Sequence, residues 1–190
     1  MIRGIIFDCF GVLYHGSLGH LFELTPPEHR DELTDMSKSS DYGYISHEAY
    51  VQRVSEMTEK TTDEIEEIMR ADHVRNEPLV AYVRSLHPQY KVGLLSNVGR
   101  GVMSQLFSSE EQRELFDVVV LSSDVGMVKP QPEIYQLVAK QLGVSSEECL
   151  MIDDLAVNID GAEAVGMKGV VFTTTENATA VIQTMLSDAN

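Results

Sequence analysis

Apolar runs and amphipathic stretches alternate regularly from residue 91 to the end of the chain. Short apolar runs are typical of buried strands, and apolar residues spaced three or four positions apart are typical of helices. Residues 2–7 form a further apolar run near the start of the chain. This alternation predicts an α/β fold: a three-layer, Rossmann-like parallel sheet with helices on both faces. The strands are predicted within residues 91–97, 116–123, 148–154 and 168–174, and the helices within residues 101–109, 132–143, 158–166 and 177–187.

More than sixty residues separate the first strand from a helix that begins near Asn76, which is too many for a structureless loop. They are predicted to form an inserted α-helical cap domain over residues 15–75, joined near residues 14–20 and 72–78 to a core domain of residues 1–14 and 76–190. Thr25 before two prolines predicts a helix N-cap, and Thr61 with Glu64 has the spacing of a capping box. The apolar positions of the cap recur at helical spacing, at Leu33, Met36, Tyr50, Val54, Met57, Ile65, Ile68 and Met69.

The composition fits one globular unit, because 190 residues that are 43% hydrophobic can bury a sizeable core. A net charge of −16 disfavours nucleic acid and anionic membranes as partners. The sequence shows no targeting pattern or membrane-length apolar segment, so we expect a cytoplasmic protein. Cys9 and Cys149 lie inside apolar runs and are expected to be buried free thiols. A chain this acidic needs a local cation wherever it binds a phosphorylated molecule.

Polar residues stand at the ends of three predicted strands, where parallel sheets place their chemistry. Asp8 follows the first apolar run, and Ser96 with Asn97 ends the second. Asp153 and Asp154 end a third strand side by side. Each of these can also be an ordinary turn or capping residue. Two adjacent carboxylates, however, repel each other unless a cation neutralises them, so an all-oxygen site of this kind indicates Mg²⁺.

Lys129 is the candidate for the local cation, because it lies just before the prolines that open a predicted helix. Taken in isolation, it would be interpreted as a solvated surface lysine. Asn158, in the first turn of the helix after the paired aspartates, is expected to orient that loop.

Taken together and in order, the segments DxxGVL, SN, KPxPxIY and DDxxxNxxGAxxxGM resemble the haloacid dehalogenase superfamily of aspartate-nucleophile hydrolases. The helical insertion is similar to the C1 cap of the first subclass of that superfamily. The stretch DDLAVNIDGAEAVGM is similar to small phosphatases and to relatives of the N-terminal domain of soluble epoxide hydrolase.

The resemblance implies a role for each of these residues. Asp8 would be the nucleophile that forms an aspartyl-phosphate, and Ser96 with the backbone N–H of Asn97 would hold the transferring phosphoryl group. Lys129 would neutralise Asp8 and the phosphoryl oxygens. The metal ligands implied for Mg²⁺ are Asp8, Asp154 and the backbone carbonyl of Phe10, with Asp153 supporting the ion indirectly.

The chain departs from the phosphatase pattern at Phe10. Phosphatases of this superfamily usually carry a second aspartate two positions after the nucleophile, where it acts as general acid and base. A phenyl ring cannot transfer protons, and the loss of this function is worth about 10² to 10⁴ in rate. His15, seven residues after Asp8, is a candidate replacement that could also bind substrate, although the usual interpretation of such a histidine is a solvated loop residue.

Three functions therefore remain open. The first is a Mg²⁺-dependent phosphatase of small phosphate esters, whose partner is a small phosphorylated molecule. The second is a haloacid dehalogenase, which carries an aromatic residue at the position of Phe10 but lacks the acidic pair. The third is a non-catalytic module that binds a phosphorylated ligand or protein. The sequence gives no indication of the oligomeric state.

Overall fold

The computed structural model describes residues 1–16 and 19–187, and these residues contain seven strands. Five of them form one parallel sheet and the other two form a small antiparallel ribbon. The strands are β1 (Gly4–Phe7), β2 (Tyr14–His15), β3 (Val74–Arg75), β4 (Lys91–Ser96), β5 (Val118–Leu121), β6 (Cys149–Asp153) and β7 (Lys168–Val171). The order in the large sheet is β5-β4-β1-β6-β7, which confirms the predicted parallel α/β architecture.

Strand β1 lies in the middle of the sheet, and its four residues carry no polar side chain. Phe7 is paired with Leu94 on β4 and with Ile152 on β6. All three side chains are fully buried on one face of the sheet. Because the strands are parallel, Asp8, Asn97 and Asp154 all leave the sheet at the same edge.

Helices cover both faces of the sheet, and no described helix combines the length and apolar character that a bilayer crossing requires. One face packs against α5, α6, α7 and α11, and the other against α9 and α10. The described α-helices are α1 (Gly19–Leu24), α2 (Arg30–Asp41), α3 (His47–Thr58), α4 (Thr62–Asp72), α5 (Glu77–Leu86), α6 (Met103–Leu106), α7 (Ser109–Leu115), α8 (Ser122–Val125), α9 (Pro132–Leu142), α10 (Ala156–Ala164) and α11 (Thr175–Ser187).

Two details of the predicted elements, one helix and one strand end, were wrong. One helix was predicted over residues 101–109, but the chain forms the short α6, an extended Phe107 and then α7, because a capping box of Ser108 and Glu111 starts a new helix. The strand predicted to reach residue 123 ends at Leu121, where α8 begins.

Helices α1 to α4 form a hydrophobic cluster of their own, built from the predicted apolar positions together with Leu21, Ile45 and Val51. The capping box of Thr61 and Glu64 is present at the start of α4. The predicted N-cap at Thr25 was wrong. Its hydroxyl donates 2.7 Å back to the carbonyl of Leu21, so it closes α1, and the short 3-10 helix that follows begins without a side-chain cap.

The ribbon of β2 and β3 connects the sheet to these helices, with Tyr14 opposite Arg75. Residues 17 and 18, in the first predicted crossing, lie outside the described residues. Cys9 and Cys149 are buried free thiols, as predicted.

Gly161 lets α10 approach the loop that carries Lys129. A Cβ at this position would lie 2.8 Å from the Cβ of Pro130 and 2.9 Å from the Pro130 carbonyl oxygen. Backbone atoms cannot rotate out of the way, so Gly161→Ala must push α10 from the loop. We expect the free energy of unfolding, measured by urea denaturation, to fall by about 1–3 kcal/mol. Ala164→Ser, at an exposed position of the same helix, should change it by less than about 0.5 kcal/mol. A Gly161→Ala protein as stable as wild type would contradict this close packing.

Candidate active site

A buried lysine lies between two buried aspartates at the edge of the sheet. Lys129 Nζ is 2.8 Å from Asp8 Oδ1 and 2.6 Å from Asp153 Oδ2. Lys129 is 4% exposed, Asp8 6% and Asp153 0%, so solvent screens these charges weakly. The lysine that the sequence left open as a surface residue is thus a buried cation beside Asp8.

Asp153 uses both of its oxygens inside the protein. Oδ2 accepts from Lys129, while Oδ1 accepts 2.9 Å bonds from the backbone N–H of Leu155 and from Asn158 Nδ2. Tyr135 on α9 donates 2.7 Å to the carbonyl of Asn158 and so fixes the start of α10. Asp153 is therefore placed to hold the Lys129 side chain and the segment between β6 and α10 in position.

Asn97 fixes the backbone of Lys129. Its Oδ1 accepts from the Lys129 N–H at 2.8 Å, and its Nδ2 donates to the Lys129 carbonyl at 3.0 Å. The neighbouring Ser96 is 1% exposed, and its Oγ has no hydrogen-bond partner among the described residues. A buried unpaired hydroxyl is costly, so its presence indicates a site that completes its hydrogen bonding with a ligand.

The candidate residues surround one cavity of about 490 Å³, which we call the cleft. Asp153 lies below its surface, fully buried. His15 reaches the cleft from an exposed position on β2, and Phe10 reaches it from the loop after β1. The predicted site residues that line the cleft are Asp8, Phe10, His15, Ser96, Asn97, Lys129 and Asp154.

The electrostatics of the cleft favour an added cation. Burial raises the pKa of Asp8 to about 6, although Lys129 acts to lower it. Burial, and then the charge of Asp153, also raise the pKa of Asp154. Burial disfavours the charge of Lys129, yet the two carboxylates beside it keep its pKa above the usual value. Oxygens of Asp8, Asp153 and Asp154 lie within 4.8 Å of one another, a donor set of the kind that Mg²⁺ prefers.

Gly11 brings the loop after β1 against Asp154. Its φ of +86° is a conformation that glycine adopts without strain. Any Cβ at this position would clash with the Asp154 carboxylate. The absence of a side chain at Gly11 therefore allows the Asp154 carboxylate to lie against the loop after β1.

A second cavity, of about 290 Å³, lies beside the cleft, and we call it the apolar cavity. Its wall includes side chains of the inserted helices, among them Tyr50 and Met69, and of the core, among them Val98 and Val102. The two cavities share three lining residues, Phe10, Asp41 and Asn97.

Asp41 is the cleft residue that the sequence did not reveal. It is the last residue of α2, and burial raises its pKa to about 6, while Lys129 acts to lower it. In the sequence it stands in the polar stretch SKSSDYG, which looks like a solvated helix end.

Comparisons with known proteins support the fold and identify the family. A HAD-like family hydrolase from Porphyromonas gingivalis superposes with a TM-score of 0.79 and 27% identity, covering 98% of each chain. A variant of the HAD family enzyme bt-2542 from Bacteroides thetaiotaomicron, solved with magnesium and inorganic phosphate, has a TM-score of 0.75 at 20% identity over 91% of this chain and 95% of that one, which shows the fold alone.

Fructose-1-phosphate phosphatase YqaB of Escherichia coli is 31% identical over 102 residues, which are 54% of each chain. The chain spans about half or less of the length of the curated relatives that match it first. The family model of haloacid dehalogenase-like hydrolases matches residues 2–166. Because this match extends over more than half of the chain, the chain belongs to the haloacid dehalogenase-like hydrolase family.

Proposed function

We propose that the protein is a Mg²⁺-dependent phosphatase of small phosphate esters that acts through an aspartyl-phosphate on Asp8. The observation that carries the proposal is the buried Asp8–Lys129–Asp153 cluster, whose Asp8 and Lys129 line the same cleft as Ser96 with its unpaired hydroxyl. A buried cation beside a carboxylate lets an anionic nucleophile approach an anionic phosphate, because it offsets the repulsion between them. The relatives named as phosphatases support the same reaction class.

Each residue has a defined task in the proposed reaction. Ser96 Oγ and the backbone N–H of Asn97 bind phosphoryl oxygens, and Lys129 neutralises Asp8 and the phosphoryl group. An Asp8 oxygen attacks phosphorus, the bond from phosphorus to the ester oxygen breaks with its electron pair on that oxygen, and the oxygen takes up a proton from an acid in the site and leaves as the alcohol. Water then attacks the phosphorus of the aspartyl-phosphate and gives a proton back to that group, which restores Asp8 and releases inorganic phosphate. Residues 15–75 act in this proposal as a cap over a core of residues 1–14 and 76–190.

The residues present fit a magnesium ion. Asp8, Asp154 and the carbonyl of Phe10 would hold it, because the carboxylates lie close together at the cleft and the carbonyl does not depend on the phenyl side chain. Asp153 would support it indirectly, since its oxygens already bond Lys129, Leu155 and Asn158. When bound, Mg²⁺ supplies positive charge that stabilises the transferring phosphoryl group. The magnesium and phosphate in the bt-2542 complex support this choice of metal.

A screen of phosphate esters and 2-haloacids, with and without Mg²⁺, tests the reaction class. We expect inorganic phosphate to be released from esters only when Mg²⁺ is present, and no halide to be released. The reason is that the negative charges of Asp154 and Asp153 favour a bound metal ion, which dehalogenation of a 2-haloacid does not need. Halide release without metal would establish the dehalogenase alternative, and release of neither product would establish the non-catalytic one.

Asp8→Asn should abolish phosphate release, because the amide keeps the shape of the side chain but is a poor nucleophile. The turnover of a good substrate should fall below one thousandth of wild type, about 4 kcal/mol in activation free energy. Asp160→Asn, an exposed carboxylate on α10, is the matched control and should keep wild-type turnover. Circular dichroism establishes that both variants are folded. Wild-type rates in folded Asp8→Asn would contradict the assignment.

Magnesium binding should depend on Asp154 and on the glycine that approaches it. Titration calorimetry with Mg²⁺ and inorganic phosphate should show binding to wild type, and Asp154→Asn should weaken it at least 10-fold. Gly11→Ala should weaken it by about 10- to 100-fold, because the added Cβ displaces the Asp154 carboxylate. Gly143→Ala is the matched control: its φ is also positive, at +73°, but its Cβ meets no atom within 4 Å. Equal losses in the two glycine variants would show that backbone strain, and not Asp154, is responsible.

A further inference from the structure

Asp41 lies where the cleft and the apolar cavity meet, and we propose that it is the general acid and base that Phe10 cannot be. This inference rests on the proposed phosphatase function. It names a catalytic group that comes from the inserted helices and lies far in sequence from the nucleophile.

The position of Asp41 follows from the two cavities. The phosphoryl group is expected to bind in the cleft, where Asp8, Ser96 and Lys129 lie. The alcohol part of the ester would then occupy the neighbouring apolar cavity. The ester oxygen joins these two parts, so it must lie where the cavities meet. The residues that line both cavities are Phe10, Asp41 and Asn97.

Asp41 is the member of this group that can transfer a proton. Phe10 has an apolar ring, which lies 5.0 Å from the ring of His73. The amide of Asn97 is committed to the backbone of Lys129. The carboxylate of Asp41 forms no hydrogen bond or ion pair with any group in residues 1–16 and 19–187, so it is available to a ligand.

The neighbours of Asp41 hold it against the core. Ser40 packs so closely on Gly99 that a Cβ there would clash with Ser40 Oγ. On the other side, Tyr42 accepts a 3.1 Å bond from Gln131, two residues after Lys129. Gly43 has a φ of +73°, and a Cβ there would clash with the carbonyl of Ser123. The end of α2 is therefore fixed on the same loops that carry the phosphoryl-binding residues.

The surroundings of Asp41 favour a carboxyl group that changes its protonation state near neutrality. Burial raises its pKa to about 6, and Lys129 on the core side opposes this rise. At that pKa the acid and the carboxylate are both populated near neutral pH, as a group that first donates and then accepts a proton requires. The titratable groups that line the two cavities with Asp41 also include Tyr50 and His47 on α3, His73 after α4, His15 on β2, and Asp8 and Asp154 in the cleft. Arg100 lies against Gly43, and α8, which carries Asp124, contacts α2.

The proton balance closes over the two half-reactions. In the first, an Asp8 oxygen bonds phosphorus while the electron pair of the breaking bond moves to the ester oxygen. That oxygen takes the proton of the Asp41 carboxylic acid and leaves as the alcohol. In the second, the Asp41 carboxylate takes a proton from the water that attacks phosphorus, and the bond between phosphorus and Asp8 breaks with its electron pair returning to Asp8. Asp41 is then again a carboxylic acid.

The test compares two esters that differ in how much their leaving group needs a proton. We would measure single-turnover alcohol release from 2-phenylethyl phosphate and from p-nitrophenyl phosphate, in the Mg²⁺-loaded full chain. Asp41→Asn should slow release from the alkyl ester by about 10² to 10⁴, and release of p-nitrophenolate by less than about 10-fold. Later turnovers of p-nitrophenyl phosphate should also slow, so a burst of p-nitrophenolate should appear. Asp35→Asn, an exposed carboxylate on the same helix, should leave both rates unchanged.

The outcomes separate this inference from the function on which it rests. Wild type that cleaves neither ester overturns the phosphatase function and Asp41 with it. Wild type that cleaves both, with an Asp41→Asn variant that keeps the alkyl rate, overturns Asp41 alone. Equal first-turnover losses for both esters would show a structural effect and also overturn it. The Asp41 assignment is also overturned if His15→Ala, and not Asp41→Asn, selectively slows the alkyl ester, because His15 would then be the acid.

Discussion

The structure of the site depends on one buried ammonium group. Lys129 Nζ lies 2.8 Å from Asp8 and 2.6 Å from Asp153, and none of the three side chains is well solvated. Without the lysine, two carboxylates would be buried side by side, and breaking such a buried pair costs about 3–5 kcal/mol. The rest of the sheet edge secures this lysine: Asn97 binds its backbone, Asp153 binds its side chain, and α10 packs against the proline that follows it.

The same edge shows how an inserted element can take part in the chemistry of a sheet. Helices α1 to α4 have a hydrophobic cluster of their own, separate from the two clusters that flank the sheet. The end of α2 is one place where these helices meet the core beside the cleft, through Ser40, Tyr42 and Gly43. Because Asp41 lies between these residues, the docking of the helices also sets the position of its carboxylate.

The sequence predicted the parts of the fold that depend on local pattern. Apolar runs located the five sheet strands, and the order of polar residues at their ends located Asp8, Ser96, Lys129 and Asp154, which the structure places around one cleft. Local pattern failed at Thr25, where the sequence is compatible both with the start of one helix and with the end of another. The Thr25 hydroxyl donates back to the carbonyl of Leu21 and so closes α1. Asp41 could not be found, because its place in the cleft depends on how two distant parts of the chain dock, and no periodicity encodes that contact.

In the proposed reaction, Asp8 carries the phosphoryl group during turnover. The most direct test of this step is to mix the Mg²⁺-loaded protein with p-nitrophenyl phosphate, stop the reaction in acid within the first turnover, and map the labelled peptide by mass spectrometry. We expect one phosphoryl group, bound to Asp8. Turnover with an unmodified Asp8, or with the phosphoryl group on another residue, would contradict it.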